Sequence, residues 1–209
     1  PAPVVVVIHD IRAMSDWARA VGDQLAADGF IAVVPDLLSG KGPGDGGTES
    51  FSANEVGRAI RDLAPADVNR RLRAAAAYGT SLPSATDQVG VVGFCMGGML
   101  TLVIADREGD RVAAAAPFYG APLGEDGPDW SGLTAKVEGH FAAVDDFFPP
   151  EAVTALGEQL RGMGKDVEFH VYEGTGHAFA NWENPLGTHD EAAAATAWGR
   201  TLDLFHACL

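Results

Sequence analysis

The 209-residue sequence predicts an α/β fold: a three-layer sandwich with a mostly parallel central sheet and helices on both faces. Three observations predict it. Short β-branched runs alternate with Ala-rich stretches of helical length, Gly and Pro gather at the junctions, and hydrophobic residues make up 47% of a chain of single-domain size. Residues 4–8 are continuously apolar, as a strand covered on both faces should be. Ser15 is placed to cap a helix running to about Asp28, with Gly29 as its stop. Residues 30–34 form the next strand, ending at Pro35-Asp36. Residues 39–48 carry five glycines and read as a flexible surface connection rather than a lid. A helix over 66–78 and a strand over 89–92 follow. The second half repeats the pattern: helix 96–107, strands 112–118 and 137–144, helix 151–161, strand 167–172 and a closing helix 191–206. No repeat or linker divides the chain, so residues 1–209 read as one domain.

Charge narrows the function. Lys plus Arg is 14 and Asp plus Glu is 29, a formal net charge of −15. Such a surface repels phosphate backbones and anionic lipid, which argues against nucleic-acid and membrane partners. No apolar run approaches the ~20 residues that span a bilayer. Two cysteines, Cys95 and Cys208, are too few for a disulfide framework or a structural zinc cluster, and no metal site is expected. A monomeric cytoplasmic protein acting on a small molecule is the expectation.

The most informative segment is Val89-Gly90-Val91-Val92-Gly93-Phe94-Cys95-Met96-Gly97-Gly98: a buried strand, Gly-x-Cys-x-Gly, then a helical pattern. A sharp strand-to-helix turn crowds its neighbours, and glycine at 93 and 97 avoids the clash. This is a nucleophile elbow with Cys in place of Ser. It lifts Cys95 to the C-terminal edge of the sheet at a helix N-terminus, where the dipole favours an anion. The Met96 N–H is then free to hold an oxyanion. Cys208 has no such context. A dinucleotide fingerprint would need Gly at position 95, and a phosphate-binding loop would need Gly-Lys-Ser/Thr.

A cysteine nucleophile needs a histidine, and the histidine needs an orienting group. His177 lies in Glu173-Gly174-Thr175-Gly176-His177-Ala178-Phe179, just past a late strand and so at the same sheet edge. His140 and His170 fall inside strand patterns and read as packing residues, and His189 and His206 as surface residues. Asp145 leaves the strand over 137–144 first and is the orienting carboxylate, with Asp146 in reserve. The order Cys95, Asp145, His177 is that of α/β-hydrolases. Glutamine amidotransferases carry a His-x-Glu pair, whereas Phe179 stands two residues after His177. His9-Asp10-Ile11 follows the first strand, making the Ile11 N–H the second oxyanion donor.

Together these pieces resemble the dienelactone hydrolase family. The matching stretches are 4–11, 25–37, 89–98, Phe118-Tyr119-Gly120, 140–151 and 174–179. The resemblance implies hydrolysis of a lactone or ester, as in carboxymethylenebutenolidase, with no cofactor. It carries the triad onto Cys95, Asp145 and His177 and the oxyanion hole onto Met96 and Ile11. It also makes Asp10 the counterpart of a Glu that contacts the resting thiol. Asn181 stands where the family has a substrate-binding Arg and Leu38 where a Tyr is common. Arg58, Arg61, Arg70 and Arg71 compete for a second family arginine. Esters are therefore favoured over dienelactone itself. The competing readings are a non-catalytic binding or thiol-sensor protein on the same fold, and a cysteine-dependent transferase or peptidase.

Overall fold

The computed structural model describes residues 1–124 and 127–209. Six strands form one wholly parallel sheet in the order β2-β1-β3-β4-β5-β6. They are β1 (Ala2–Ile8), β2 (Ile31–Val33), β3 (Ala85–Phe94), β4 (Val112–Phe118), β5 (Lys136–Val144) and β6 (Val167–Gly176). The helices are α1 (Asp16–Ala27), α2 (Ala53–Arg61), α3 (Pro65–Thr80), α4 (Met96–Glu108), α5 (Pro150–Gly162) and α6 (Glu191–Cys208).

The apolar run of β1 is explained by two cores. Val4, Val6 and Ile8 face a core with Leu72 of α3, Leu102 of α4 and Leu156 of α5, while Val5 and Val7 face Trp17 and Leu25 of α1 and Phe205 of α6. Each such buried side chain is worth roughly 1.5–3 kcal/mol of transfer free energy. Ser15 caps α1 by accepting the Ala18 N–H at 3.2 Å.

The predicted strands over 30–34, 89–92 and 167–172 differ from the observed ones: β2 is shorter, and β3 and β6 are longer. A helix was also missed. α2 begins after Ser52, whose N–H donates to Glu55 Oε2 at 3.0 Å, the Ser-x-x-Glu pattern that opens many helices. The glycine-rich segment 39–48 is anchored rather than loose. Asp36 accepts the Thr48 N–H at 2.7 Å and its hydroxyl at 2.8 Å, and Arg71 donates to Ser39 O at 2.7 Å. No helix among the described residues is long and apolar enough to cross a membrane.

The strand order sets the position of the site. The chain winds outward from β1 to β2, then returns to β3 and winds the other way. The connections leaving the C-terminal ends of β1 and β3 therefore diverge, opening the crevice where ligands bind in open α/β sheets.

Candidate active site

Cys95 sits in that crevice, between the last residue of β3 and the first of α4, with φ 56° and ψ −117°. A non-glycine residue at positive φ stores strain, which packing around it must hold. Here the backbone locks the turn: the Cys95 N–H donates to Phe118 O at 3.0 Å. A Cβ on Gly97 would lie 2.1 Å from Ile8 O, and one on Gly93 would lie 2.2 Å from Gly97 O. The two flanking glycines are thus required by backbone contact, and α4 begins against the end of β1. The thiol is half-buried.

His177 follows the last residue of β6, and Asp145 the last of β5. Their side chains meet in a buried contact, His177 Nδ1 to Asp145 Oδ2 at 2.7 Å. The other carboxylate oxygen accepts the N–H groups of Phe147 at 2.9 Å and Phe148 at 3.0 Å, so both oxygens of Asp145 are engaged. Asp146 is exposed. With Nδ1 committed to Asp145, the other ring nitrogen is left free, and Cys95 is near enough to bear on the protonation of the ring. Burial pulls the His177 pKa down. Hydrogen bonding to Asp145 and Cys95, with their negative charge, outweighs it and pushes the value up to about 9. The structure thus joins the imidazole to the carboxylate and sets both at the sheet edge that carries Cys95.

At the end of β1, Asp10 is buried, and its Oδ1 accepts the Arg12 N–H at 2.7 Å. The next amide, that of Ala13, is bonded to Asp10 O at 3.0 Å. The Ile11 N–H between them forms no hydrogen bond to another described residue, nor does that of Met96 at the start of α4. Burial is the main cause that raises the Asp10 pKa above the usual carboxylate range. His9 has a structural role. Its Nε2 accepts the Leu37 N–H at 3.2 Å, so Nδ1 is the donor to Asp10 O at 2.8 Å, and burial lowers its pKa.

Asn181 is fully buried; its Oδ1 accepts the Glu183 N–H at 2.9 Å, which shapes the loop after His177, and its Nδ2 has no partner among the described residues. The arginines of the middle region are also accounted for in part. Arg70 and Arg71 are held by Asp67, and Arg58 lies 3.7 Å from Asp62 with its side chain 83% exposed.

Three features escaped the sequence reading. Tyr119 packs edge-on to the His177 ring at 5.3 Å, at φ 35°, with its buried hydroxyl unpaired among the described residues. Phe147 and Phe148 flank the same ring at 4.9 and 5.8 Å, and Phe147 is largely exposed at the rim. Arg12 and Glu183 form an ion pair at 2.7 Å between the loop after β1 and the loop after His177. Only Tyr119 had a sequence signal, its place in Phe118-Tyr119-Gly120; the other contacts are tertiary. Among the described residues there is no cluster of three His, Cys, Asp or Glu side chains suited to a metal ion.

The comparisons with known proteins point to one family. The model of the dienelactone hydrolase family matches residues 1–209. Carboxymethylenebutenolidase 1 of Cupriavidus pinatubonensis is 30% identical, over 97% of this chain and 85% of that protein. Protein usf of Aquifex pyrophilus is 28% identical over 97% of this chain and 87% of its own. Among solved structures, a dienelactone hydrolase-like promiscuous phosphotriesterase from metagenomic libraries superposes with a TM-score of 0.84. It is 26% identical, and the match covers all of this chain and 87% of that one. With its parallel sheet, its cysteine elbow and a match along its whole length, the chain belongs to the dienelactone hydrolase family and is a hydrolase of the lactone and ester class.

Proposed function

We propose that this hydrolase cleaves a carboxylic ester or lactone through a thioester on Cys95. His177, oriented by Asp145, takes the thiol proton, and the sulfur attacks the carbonyl carbon. The oxygen that becomes negative is met by the N–H groups of Met96 and Ile11. Each such donor is worth roughly 10²–10³ in rate where it has been removed. As the carbon–oxygen bond breaks, His177 passes its proton to the leaving oxygen; in a lactone that oxygen stays tethered to the acyl chain. Water then adds to the thioester carbonyl, giving its proton to His177. The carbon–sulfur bond breaks, the proton returns to sulfur, and the acid leaves.

The observation that carries this reading is the buried contact of His177 with Asp145 at 2.7 Å at the sheet edge that also carries the Cys95 elbow, with Asp145 and Cys95 together pushing the His177 pKa up to about 9. A buried histidine with no reactive partner would be pushed the other way. The aromatic rim of Phe147 and Phe148 and a neutral Asn181 where the family has an arginine favour uncharged esters over dienelactone, whose carboxylate would need a charge-assisted partner.

The test is hydrolysis of p-nitrophenyl acetate by wild type and Cys95→Ala, with mass spectrometry of the quenched wild-type protein. The expected result is a loss of about 10³-fold or more in the variant, and an added acyl mass on the Cys95 peptide. Wild-type rates in Cys95→Ala would overturn the reading, and the absence of turnover across short esters and lactones would favour a binding protein.

A further inference from the structure

The loop carrying one oxyanion donor also carries a cation. Arg12 directly follows Ile11, and its backbone N–H is bonded to the buried Asp10. Its guanidinium is already occupied, with Nη1 2.7 Å from Glu183 Oε2. Glu183 arrives from the opposite wall, six residues after His177, on a loop that Asn181 shapes by accepting the Glu183 N–H. The pair is partly sheltered, the side chains being 40% and 17% exposed. The contact is close but poorly aligned: Glu183 Oε2 is buried and completes no hydrogen bond among the described residues. Asp10 lies beside both partners. It accepts the Arg12 N–H, and its carboxyl feels the charges of Arg12 and Glu183 in opposite senses.

We propose that Glu183 sets the charge of the substrate. Its carboxylate occupies on Arg12 the place that a substrate carboxylate would take, so the site accepts neutral esters and lactones and discriminates against acids. Specificity then comes from an internal competitor as much as from contacts made to substrate. A guanidinium beside a reacting ester is the group best suited to hold a carboxylate in two parallel hydrogen bonds. Its neutralisation by a residue of this chain removes that binding mode without removing the cation. With Asp10 and Glu183 near one guanidinium, an incoming acid meets no net positive charge from these three groups.

This inference rests on the ester-hydrolase reading, and the experiment separates the two. The substrates are 4-acetoxybenzoate and 4-acetoxybenzamide, of nearly equal shape and differing in charge; the readout is the ratio of their kcat/KM values. Wild type should prefer the amide. Glu183→Gln should raise the ratio in favour of the benzoate by about tenfold or more, the scale of one charge-assisted contact. Most of that change should appear in KM, and 0.5 M NaCl should shrink it. Arg12→Gln/Glu183→Gln should return the ratio to the wild-type value. Arg12→Gln alone should give the benzoate no gain and should lower its share further, because it leaves the Glu183 carboxylate uncompensated; this arm stands even if Glu183→Gln folds poorly. An unchanged ratio in Glu183→Gln, or a gain that survives loss of Arg12 (pointing to another cation such as Arg61), overturns the proposal. If neither acetate is hydrolysed by wild type, or Cys95→Ala hydrolyses both as well, the underlying hydrolase reading fails instead.

Discussion

Two buried histidines, His140 in β5 and His177 just after β6, show how similar burial leads to opposite pKa shifts. Both make specific contacts through their rings. At His140 the hydrogen bonds fix one neutral tautomer. Thr201 spends its hydroxyl hydrogen on Ala197 O at 3.0 Å, so it accepts from His140 Nε2 at 3.0 Å. Nδ1 is therefore the acceptor, and Tyr172 donates to it at 3.0 Å while its oxygen takes the Arg200 Nη1 hydrogen at 3.1 Å. Burial pushes the His140 pKa well down, and the positive charges of His170 and Arg200 push it further. At His177 burial acts in the same direction, but Asp145 and Cys95 reverse the outcome. Burial by itself keeps a histidine neutral; a buried counter-charge raises its pKa, which the proposed role of His177 requires.

The sharpest way to break this contrast is to take away the counter-charge. Asp145→Asn leaves a hydrogen-bonding group but no negative charge, and His177 then approaches the condition of His140. The expected loss in kcat is about 10³–10⁴-fold, on the scale of the corresponding change in a serine triad. In wild type the proton that His177 must give to the leaving oxygen is lost as pH rises through about 9, so kcat/KM should fall above that pH. In the variant this alkaline limb should move to lower pH, and a pH–rate profile with the limb unmoved would show that Asp145 does not hold the imidazolium. A smaller effect is expected at the sulfur. Iodoacetamide should alkylate Cys95 about tenfold or more faster than Cys208, because the Cys95 thiol alone lies beside a cationic ring at a helix N-terminus. Peptide mapping at short times checks it, and equal labelling would remove the argument for an activated thiol.

What the sequence revealed, and what it did not, follows from how far apart the causes lie along the chain. The elbow was legible because Gly93 and Gly97 record a steric demand imposed within a few residues of Cys95. Asp145 was separable from Asp146 because only the first residue past β5 turns back beneath the ring, where Phe147 and Phe148 hold it. α2 was missed although Ser52 and Glu55 announce it, since the glycines just before them suggested open loop. The turn that the Asn181 carbonyl oxygen closes on Glu183 was not legible, since side-chain direction is not written in residue type. The Arg12–Glu183 pair joins opposite ends of the chain and depended on the sheet being assembled first.

The smallest expected effects concern stability, and they test the two histidines against each other. His177 has its folded-state pKa raised above the ordinary 6.5, so its contribution to stability is complete below pH 6.5 and is lost as pH rises through about 9. His140 has its folded-state pKa lowered, so it contributes nothing to the pH dependence above 6.5. Below that pH the unfolded chain binds a proton that the folded chain refuses, and stability falls. Urea midpoints should therefore decline on both sides of neutrality, for different reasons. His140→Phe should cost about 1–3 kcal/mol at pH 8, because Tyr172 loses its buried acceptor and Thr201 a donor. The same variant should flatten the decline between pH 8 and pH 5, since the refused proton is no longer at issue. Phe118 already packs on the His140 ring at 4.6 Å, so an aromatic replacement keeps the surrounding shape. If the acid decline is as steep in His140→Phe as in wild type, the neutral, proton-refusing state of His140 is not what limits stability there.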